Sequence, residues 1–358
     1  MKILVFGKCT LPHSSQIYTG MYRLKNQQIF DLKYIPSEKA QKYISIEKEV
    51  IDQLPGVLAL INSDLVFFDL LDSPKIENQV LNEVDFYLKR SYRKSGYESQ
   101  KILPLGLNFE VYNNYPYWFE TYRYLSLNYS PKKALKTNLS VISDSLGITF
   151  VPRIGSFECK EKNAATNNKI LFMARTWDPL EPGANLTAAE QEDRYKINCE
   201  RAALITRLKA EFGRNFVGGF AQTAHSNKEF SEQVIPDNNL SRKKNYLNLV
   251  KSIPICVATT GLHGSIGWKM AEYVALGRAI VSEENTILVP YGFEERKNYL
   301  EFNNNSTCIE KIVELTQDKD LKSKMMENNS QYYKDFLIPE KLIANAFIQI
   351  AAHANQLQ

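Results

Sequence analysis

The residues best suited to chemistry in this 358-residue chain lie between Thr259 and Ser282. Three glycines, Gly261, Gly264 and Gly267, follow an apolar run and precede a helix-like stretch. Glycine lets the backbone come close to a ligand, and the unpaired N–H groups at a helix start, together with the helix dipole, suit a phosphate. The spacing therefore predicts a phosphate-binding turn between a strand and a helix.

Four side chains of the same segment could complete such a site. Ser265 could cap the helix or bind the phosphate, and Lys269 in the first turn adds a full positive charge. Glu272 follows about one turn later, on a face that could reach a ribose diol, and His263 could bond a phosphate or a sugar hydroxyl. A glycine-rich strand-to-helix turn occurs in many nucleotide-binding folds and is a weak signal by itself. Alternatively, Glu272 is an ordinary surface residue of the helix.

Apolar runs alternate with helix-like segments along the chain, which predicts an α/β fold with parallel sheets. The runs that predict strands are 2–6, 57–61, 65–69, 102–105, 170–174, 216–220, 253–258 and 279–282. Helix-like spacing covers 75–94, 186–212, 246–250, 267–276 and the tail from 321.

The polar segment Glu158–Lys169 has no apolar period and predicts a linker or surface loop between two α/β halves. We therefore expect an N-terminal domain at 1–165 and a C-terminal domain at 166–335. A C-terminal helix, 336–358, is expected to pack back toward the first domain.

The segment Thr259–Ser282 resembles the donor-site motif of GT-B glycosyltransferases. In that motif a glycine-rich loop leads into a helix that carries a glutamate and ends at a glycine before a buried strand. Here the end is Leu276-Gly277-Arg278-Ala279-Ile280-Val281-Ser282. The resemblance implies that Glu272 binds the donor ribose. Many retaining members carry an earlier glutamate where Gly264 stands in this chain.

A second segment, Ile170–Pro179, is similar to the strand that opens the C-terminal domain in those enzymes. The resemblance implies that Arg175 contacts the donor diphosphate, and an interdomain salt bridge is the alternative role. The lysine usually found a few residues later is absent, and Arg201 or Lys269 could substitute.

The resemblance implies a GT-B architecture, two Rossmann-like domains facing each other across a cleft. It also implies transfer of a sugar from a nucleotide-sugar donor to a glycan or lipid-linked acceptor in bacterial cell-surface polysaccharide synthesis, of lipopolysaccharide or capsule. Two alternatives stay open: a nucleotide-sugar epimerase, and a non-catalytic partner protein of the same fold. The sequence leaves the sugar, the nucleobase, the acceptor and the stereochemical outcome undetermined.

No metal and no cofactor besides the donor is expected. The Asp318-Lys319-Asp320 pair lies late in the chain, in a charged stretch, and predicts a helix start. No cluster of His, Cys or carboxylate residues has the spacing of metal ligands. Basic side chains and a helix N-terminus can stabilise a leaving diphosphate instead.

A glycosyl acceptor must lose a proton, so a base is expected in the N-terminal half. Asp69 and Asp72 follow the apolar run 65–69, and His13 lies in the loop after the first strand. Helix capping by an aspartate and a surface histidine without a role are the alternatives. The nine aromatic residues between Phe109 and Tyr129 could line an acceptor groove or pack in the core.

The net charge of +4 is too small to argue for nucleic acid as a partner. A basic stretch with interleaved tyrosines is either a solvated face or a surface for anionic lipid headgroups or a phosphorylated acceptor; it contains Lys89, Arg90, Tyr92, Arg93, Lys94, Tyr97 and Lys101. Five dispersed cysteines without a C-x-x-C motif suit a reducing compartment. We expect a cytoplasmic protein whose membrane contact, if it has one, is peripheral.

Overall fold

The computed structural model describes residues 1–7, 12–113, 150–158 and 167–357, together with the isolated positions 135, 139, 142, 143 and 146. The chain divides into two compact units. Unit 1 comprises Met1–Phe157, Thr286–Gly292 and Lys334–Gln358, and unit 2 comprises Glu158–Asn285 and Phe293–Tyr333. The predicted aromatic cluster beyond Asn113 lies outside the described residues.

Eleven strands are found in the described residues, six in unit 1 and five in unit 2. They are β1 Lys2–Phe6, β2 Asp31–Ile35, β3 Gly56–Ile61, β4 Asp64–Asp69, β5 Phe86–Lys89, β6 Ile102–Pro104, β7 Ile170–Ala174, β8 Phe216–Phe220, β9 Ile255–Ala258, β10 Ala279–Glu283 and β11 Leu300–Phe302.

Twelve α-helices are found in the same residues. They are α1 Ser15–Asn26, α2 Ser37–Ala40, α3 Lys48–Gln53, α4 Asn78–Glu83, α5 Ile154–Phe157, α6 Ala188–Phe212, α7 Ala224–Glu229, α8 Lys243–Ser252, α9 Trp268–Ala275, α10 Asn305–Gln317, α11 Lys319–Tyr332 and α12 Pro339–Leu357. In these described parts of the chain, no helix is both long enough and apolar enough to span a membrane.

The sheet of unit 1 has the order β2-β1-β3-β4-β5-β6, with every strand except β3 running in one direction. The expectation of a wholly parallel sheet is wrong at β3, which pairs antiparallel with both neighbours. Only Asn62 and Ser63 separate β3 from β4, and Asn62 has φ +55°. A parallel crossover needs a dozen or more residues, so this short link makes a hairpin.

The helix-like spacing of 75–94 is also overturned in part. Only Asn78–Glu83 is helical, and Phe86–Lys89 forms β5, parallel to β4 and β6. All four residues of β5 are buried, including Lys89. A lysine in the sequence indicates an exposed position, so the run 86–89 does not look like a buried strand. The lysine can be buried only because an ionic partner pairs with it.

One face of the unit 1 sheet is covered by α1 and α12, which pack closely on each other. Gly20 of α1 lies so near α12 that a Cβ there would meet the Pro339 carbonyl oxygen at 2.2 Å. Ile343 of α12 is fully buried in the same apolar cluster as Ile17 and Met21 of α1. The helix at 339–357 thus belongs to the core of unit 1.

The sheet of unit 2 is wholly parallel, with the order β8-β7-β9-β10-β11. Numbered within the unit, the strands follow the order 2-1-3-4-5 of doubly wound α/β folds. The predicted α/β fold is therefore confirmed, including the strands expected at 170–174, 216–220 and 279–282. In such sheets the strand order reverses between the first and third strands, here β7 and β9, and ligands bind outside their carboxyl ends.

Candidate functional site

Two loops of unit 2 meet at the reversal point of its sheet. The first follows β7 and begins at Arg175, and the second follows β9 and runs from Thr259 to Gly267. The strands are neighbours in the sheet, so the carboxyl ends bring the two loops together. The predicted donor-site residues lie in these loops or in α9, except Arg201, which lies on α6; those in the loops or α9 are Arg175, His263, Gly264, Ser265, Lys269 and Glu272.

Arg201 of α6 ties the two loops to each other. Its guanidinium donates to the Arg175 carbonyl oxygen at 2.9 Å, to Thr259 Oγ1 at 3.1 Å and to the Thr260 carbonyl oxygen at 2.8 Å. Burial lowers the pKa of Arg201 to about 10, against the opposing pull of Glu283. Arg201 therefore remains charged at neutral pH and braces the loops.

The second loop is further held by a carboxylate and a tight turn. Glu283 accepts hydrogen bonds from the backbone N–H and the hydroxyl of Thr260, at 2.7 and 2.9 Å. His263 and Gly264 both adopt left-handed backbone, with φ +61° and +66°. This conformation is uncommon for a histidine and persists only where the surrounding structure imposes it. The exposed His263 is thereby presented at the turn.

Helix α9 begins at Trp268, with Gly267 as its N-cap residue. The interpretation of Ser265 as the cap is wrong, because Ser265 lies two residues earlier and is 2% exposed. A Cβ built on Gly264 or on Gly267 would meet no atom within 4 Å. Gly267 also has an ordinary φ of −73°, so neither protein packing nor backbone strain requires a glycine there. Space at a helix N-terminus is what close approach of a ligand needs.

Lys269 reaches from the first turn of α9 back to the end of β7. Its Nζ donates to the Met173 carbonyl oxygen and lies 5.6 Å from the centre of the Tyr246 ring. Burial, reinforced by the positive charges of Arg201, Lys243 and Arg175, lowers the pKa of Lys269 to about 7.

Glu272 is buried rather than displayed on the helix surface, which rules out the surface-residue alternative. Its Oε1 receives a hydrogen bond from Lys243 Nζ, at the start of α8. Lys243 was not predicted, and no local sequence signal could have found it, because the contact spans 29 residues.

These side chains form what we call the switch-point cluster: Arg175, Arg201, Lys243, Lys269 and Glu272. Four of the five are basic; Lys243 is paired with Glu272, so Arg175, Arg201 and Lys269 supply the excess positive charge, with Glu283 near Arg201. Arg175 is exposed, with its guanidinium 5.9 Å from the Trp177 ring centre. An excess of positive charge at the N-terminal end of a helix is suited to a polyanion such as a diphosphate.

The loop after β7 is fixed by α6 as well. Asn198 accepts from the backbone N–H of Trp177 at 2.9 Å and donates to its carbonyl oxygen at 2.6 Å. The same amide lies 3.3 Å from His225 Nε2. Sequence reasoning assigned no role to Asn198, whose paired bonds hold the segment that carries Arg175.

In unit 1 the structure gives Asp69 a buried, fully engaged position at the end of β4. Lys89 Nζ lies 2.6 Å from its Oδ2, and both side chains are 0% exposed. The Tyr87 hydroxyl donates to the same oxygen at 2.5 Å, and the Leu71 N–H donates to Oδ1 at 2.8 Å. A carboxylate in this position anchors the loop beyond β4, so we do not propose Asp69 as the base.

Asp72 and His13 lie closer to solvent at the same edge of the sheet. The Asp72 side chain is half exposed and accepts a hydrogen bond from Arg90 Nη1. Burial, together with the charge of Arg90, lowers the pKa of His13, while the charge of Asp72 opposes this. His13, Asp72 and Arg90 follow β1, β4 and β5, so the structure brings the two predicted residues together.

The Asp318–Asp320 pair begins a helix, as expected. Asp318 is the N-cap of α11 and accepts from the Leu321 N–H at 2.8 Å. Gly277 ends α9 with φ +63°, which confirms the predicted helix end. A Cβ at Gly277 would lie 2.1 Å from Ser330 Oγ, so packing also demands glycine.

No protein-family model and no curated protein sequence matches the chain. Among solved structures it is similar to an alpha-glucosyltransferase in complex with UDP-glucose and DNA, at 11% identity and a TM-score of 0.43, over 98% of this chain and 100% of that one. A glycosyltransferase from Rickettsia africae is similar at 12% identity and a TM-score of 0.39, over 97% and 98%. TarM from S. aureus is similar at 15% identity and a TM-score of 0.35. That match covers 54% of this chain and only 37% of TarM.

Proposed function

We propose that this protein is a glycosyltransferase that moves a sugar from a nucleotide-sugar donor to a glycan or glycolipid acceptor. The observation that carries the proposal is the switch-point cluster: basic side chains gathered at the N-terminus of α9, beside two glycines that leave open space. The Glu272 carboxylate lies about one turn further along the same helix. A diphosphate beside the glycines and a ribose toward Glu272 match this order of groups.

The chemistry asked of unit 2 is stabilisation of a leaving nucleoside diphosphate. Negative charge develops on the diphosphate as the bond to the anomeric carbon breaks. Arg175, Lys269 and the first-turn N–H groups of α9 would meet that charge as preorganised donors. Arg201 already binds three loop atoms, so we assign it the bracing of the site rather than contact with the donor.

The chemistry asked of unit 1 is removal of a proton from the acceptor hydroxyl. We propose Asp72 as the base, with His13 as its neighbour, because both lie at the carboxyl edge of the sheet near solvent. Arg90, which donates a hydrogen bond to Asp72, would hold the carboxylate in one orientation. A positioned base contributes about a hundredfold to ten-thousandfold to such a transfer.

The first experiment is thermal unfolding with UDP, GDP, dTDP, ADP, CMP and their sugar conjugates. A ligand at about 100 times its Kd stabilises the folded state by about 2.7 kcal/mol, which raises Tm measurably. One nucleotide class should stabilise the protein, and Arg175→Ala should weaken its binding by about tenfold or more. Arg214→Ala is the matched control, because Arg214 is exposed and lies outside the switch-point cluster.

The same panel separates the alternative functions. If no nucleotide stabilises a folded, pure protein, the donor assignment is wrong. Conversion of the donor sugar without an acceptor would identify an epimerase, whereas binding without turnover, even with native acceptor, would identify a non-catalytic protein. Transfer is proposed to need no divalent cation, so EDTA should leave the rate within about twofold, since protein cations meet the diphosphate charge.

We further propose that the acceptor belongs to a bacterial surface polysaccharide and that unit 1 contacts an anionic membrane surface in the cytoplasm. Support comes from the segment after β5, where Arg93 and Lys94 are exposed and Arg93 lies 4.8 Å from the Tyr97 ring centre. Each such cation near a surface contributes about 1 kcal/mol. Sedimentation with phosphatidylglycerol vesicles should show binding that salt and the double variant Arg93→Ala, Lys94→Ala weaken. Equal sedimentation of this variant would contradict the proposal.

A further inference from the structure

Three basic residues stand at the start of α8, where they are least expected. Arg242 is the N-cap residue, Lys243 and Lys244 open the helix, and no side chain caps it. Cations near a helix N-terminus oppose the helix dipole, so helix stability does not explain this choice. The two lysines differ in environment: Lys243 pairs with the Glu272 carboxylate, whereas Lys244 is exposed.

The carboxylate that Lys243 meets is otherwise costly. The Glu272 side chain is 2% exposed, and a buried carboxylate needs a charged or hydrogen-bonded partner. Lys243 supplies that partner at Oε1 while its own side chain remains 26% exposed. Further titratable groups near this pair are Tyr246, one turn along α8, and Lys269 and Tyr273 on α9.

We propose that Lys243 is a positioning residue for recognition of the donor ribose. By occupying Oε1 it fixes the orientation of the Glu272 carboxylate and leaves the remaining acceptor positions for the two ribose hydroxyls. This inference rests on the proposed function, because it takes the nucleotide as the ligand. Lys243 itself contacts no part of the donor.

The consequence is a specific pattern of affinities. A carboxylate held in one orientation discriminates a ribose from a 2′-deoxyribose, because the deoxy sugar leaves one acceptor unpaired. Loss of Lys243 should remove that discrimination. Inorganic pyrophosphate has no sugar, so its binding should not depend on how Glu272 is oriented.

The experiment is a titration of three proteins, wild type, Lys243→Met and Lys244→Met. Each is titrated with the nucleoside diphosphate that stabilises the wild type, with its 2′-deoxy counterpart and with pyrophosphate. Lys243→Met should bind the ribonucleotide about tenfold to a hundredfold more weakly and the two nucleotides within about twofold of each other. Its affinity for pyrophosphate should stay within about twofold of wild type. Lys244→Met should match the wild type throughout, and Lys243→Arg should retain most of the discrimination.

Equal weakening toward pyrophosphate would overturn the proposal and make Lys243 a phosphate ligand. Unchanged discrimination in Lys243→Met would also overturn it and leave the proposed function intact. If the wild type binds none of these probes, the proposed function itself fails.

A second comparison covers the case in which Lys243→Met does not fold. Glu272→Gln removes the buried charge, so Glu272→Gln with and without Lys243→Met can be compared. The two should bind all three probes alike, because Lys243 acts only through Glu272. Weaker binding of pyrophosphate by the double variant would contradict the proposal.

Discussion

Lys269 places an ammonium group where Arg175, Arg201 and Lys243 already contribute positive charge, and its pKa falls to about 7. The lowered value means that the unfolded chain binds more protons than the folded one between about pH 7 and pH 10.5. Lys269 therefore destabilises the fold below pH 7, and this cost disappears as the pH rises through that window. An anion bound beside Lys269 would favour the charged ammonium and raise its pKa again.

Nucleotide binding at pH 8 is accordingly expected to take up a proton at Lys269. The free protein holds this side chain mostly neutral, and a bound diphosphate would restore its charge. Calorimetry in two buffers of different ionisation enthalpy should show uptake approaching one proton in the wild type relative to Lys269→Met. Equal uptake by both proteins would show that Lys269 does not meet the ligand.

Asp69 and Asp72 lie three residues apart but should respond differently to substitution. Asp69→Asn removes the partner of a fully buried lysine, so unfolding should require about 3–5 kcal/mol less, measured by urea denaturation. Asp72 is half exposed, so Asp72→Asn should change stability by about 1 kcal/mol or less.

The effects of the two substitutions on kcat should follow the opposite order from their effects on stability. If Asp72 is the base, Asp72→Asn lowers kcat by about a hundredfold or more. Asp69→Asn, assayed where it remains folded, should keep kcat within about tenfold of wild type, through a slight shift of the loop it anchors. A larger loss of kcat in Asp69→Asn than in Asp72→Asn would reverse our assignment.

Two glycines in unit 2 serve different elements. Gly218 lies inside β8 with φ +149°, and a Cβ there would lie 1.9 Å from the Phe172 carbonyl oxygen of β7. Gly267, at the start of α9, has ordinary backbone and open space. Gly218 allows β7 and β8 to pair, whereas Gly267 leaves room for a ligand at the N-terminus of α9.

Gly218→Ala should therefore destabilise the fold by about 2–5 kcal/mol, through overlap and backbone strain. Gly267→Val should change the free energy of unfolding by less than about 1 kcal/mol. It should nevertheless weaken nucleotide binding by at least about tenfold, since its methyl groups fill the approach to the helix N-terminus. Unfolding curves and a nucleotide titration of both variants check this, and a Gly267→Val protein that binds normally would contradict the site.

The sequence predicts the elements of unit 2 well because their signals are local. The strand β7 is a continuous apolar run, β10 begins with one, and Gly277 marks the end of α9 by its own backbone preference. The contacts that complete the site are not local. Lys243 and Arg201 reach the site only because α8 and α6 pack on the sheet. The spacing of residues along the sequence does not predict that packing.

In unit 1, the dependence on contacts between distant residues made the predicted sheet topology partly wrong. The strand β5 contains Lys89, whose burial depends on Asp69 twenty residues earlier, so its pattern does not resemble a buried strand. The only sequence signal for the hairpin β3–β4 is the short separation of the two apolar runs at 57–61 and 65–69. Placement of the candidate base did not suffer, because β1, β4 and β5 still share a direction.

At the scale of the whole molecule, unit 1 depends on a helix that is distant in sequence. Ile343 of α12 is fully buried against α1, so Ile343→Ala should lower the free energy of unfolding by about 2–5 kcal/mol. Ile348 of the same helix is 65% exposed, and Ile348→Ala should have little effect. Urea denaturation of both variants measures this difference, and equal stabilities would contradict the assignment of α12 to the core.

The order of the two units along the chain has a consequence for synthesis on the ribosome. Residues 158–333 separate the first part of unit 1 from α12, and translation adds about 5–20 residues per second. Synthesis of unit 2 is complete at Tyr333, so unit 2 can fold while the apolar face of α1 is still uncovered. For an interval on the order of 10–35 seconds, the nascent first unit therefore exposes apolar surface of the kind that promotes aggregation and that chaperones recognise. The part synthesised first is finished last.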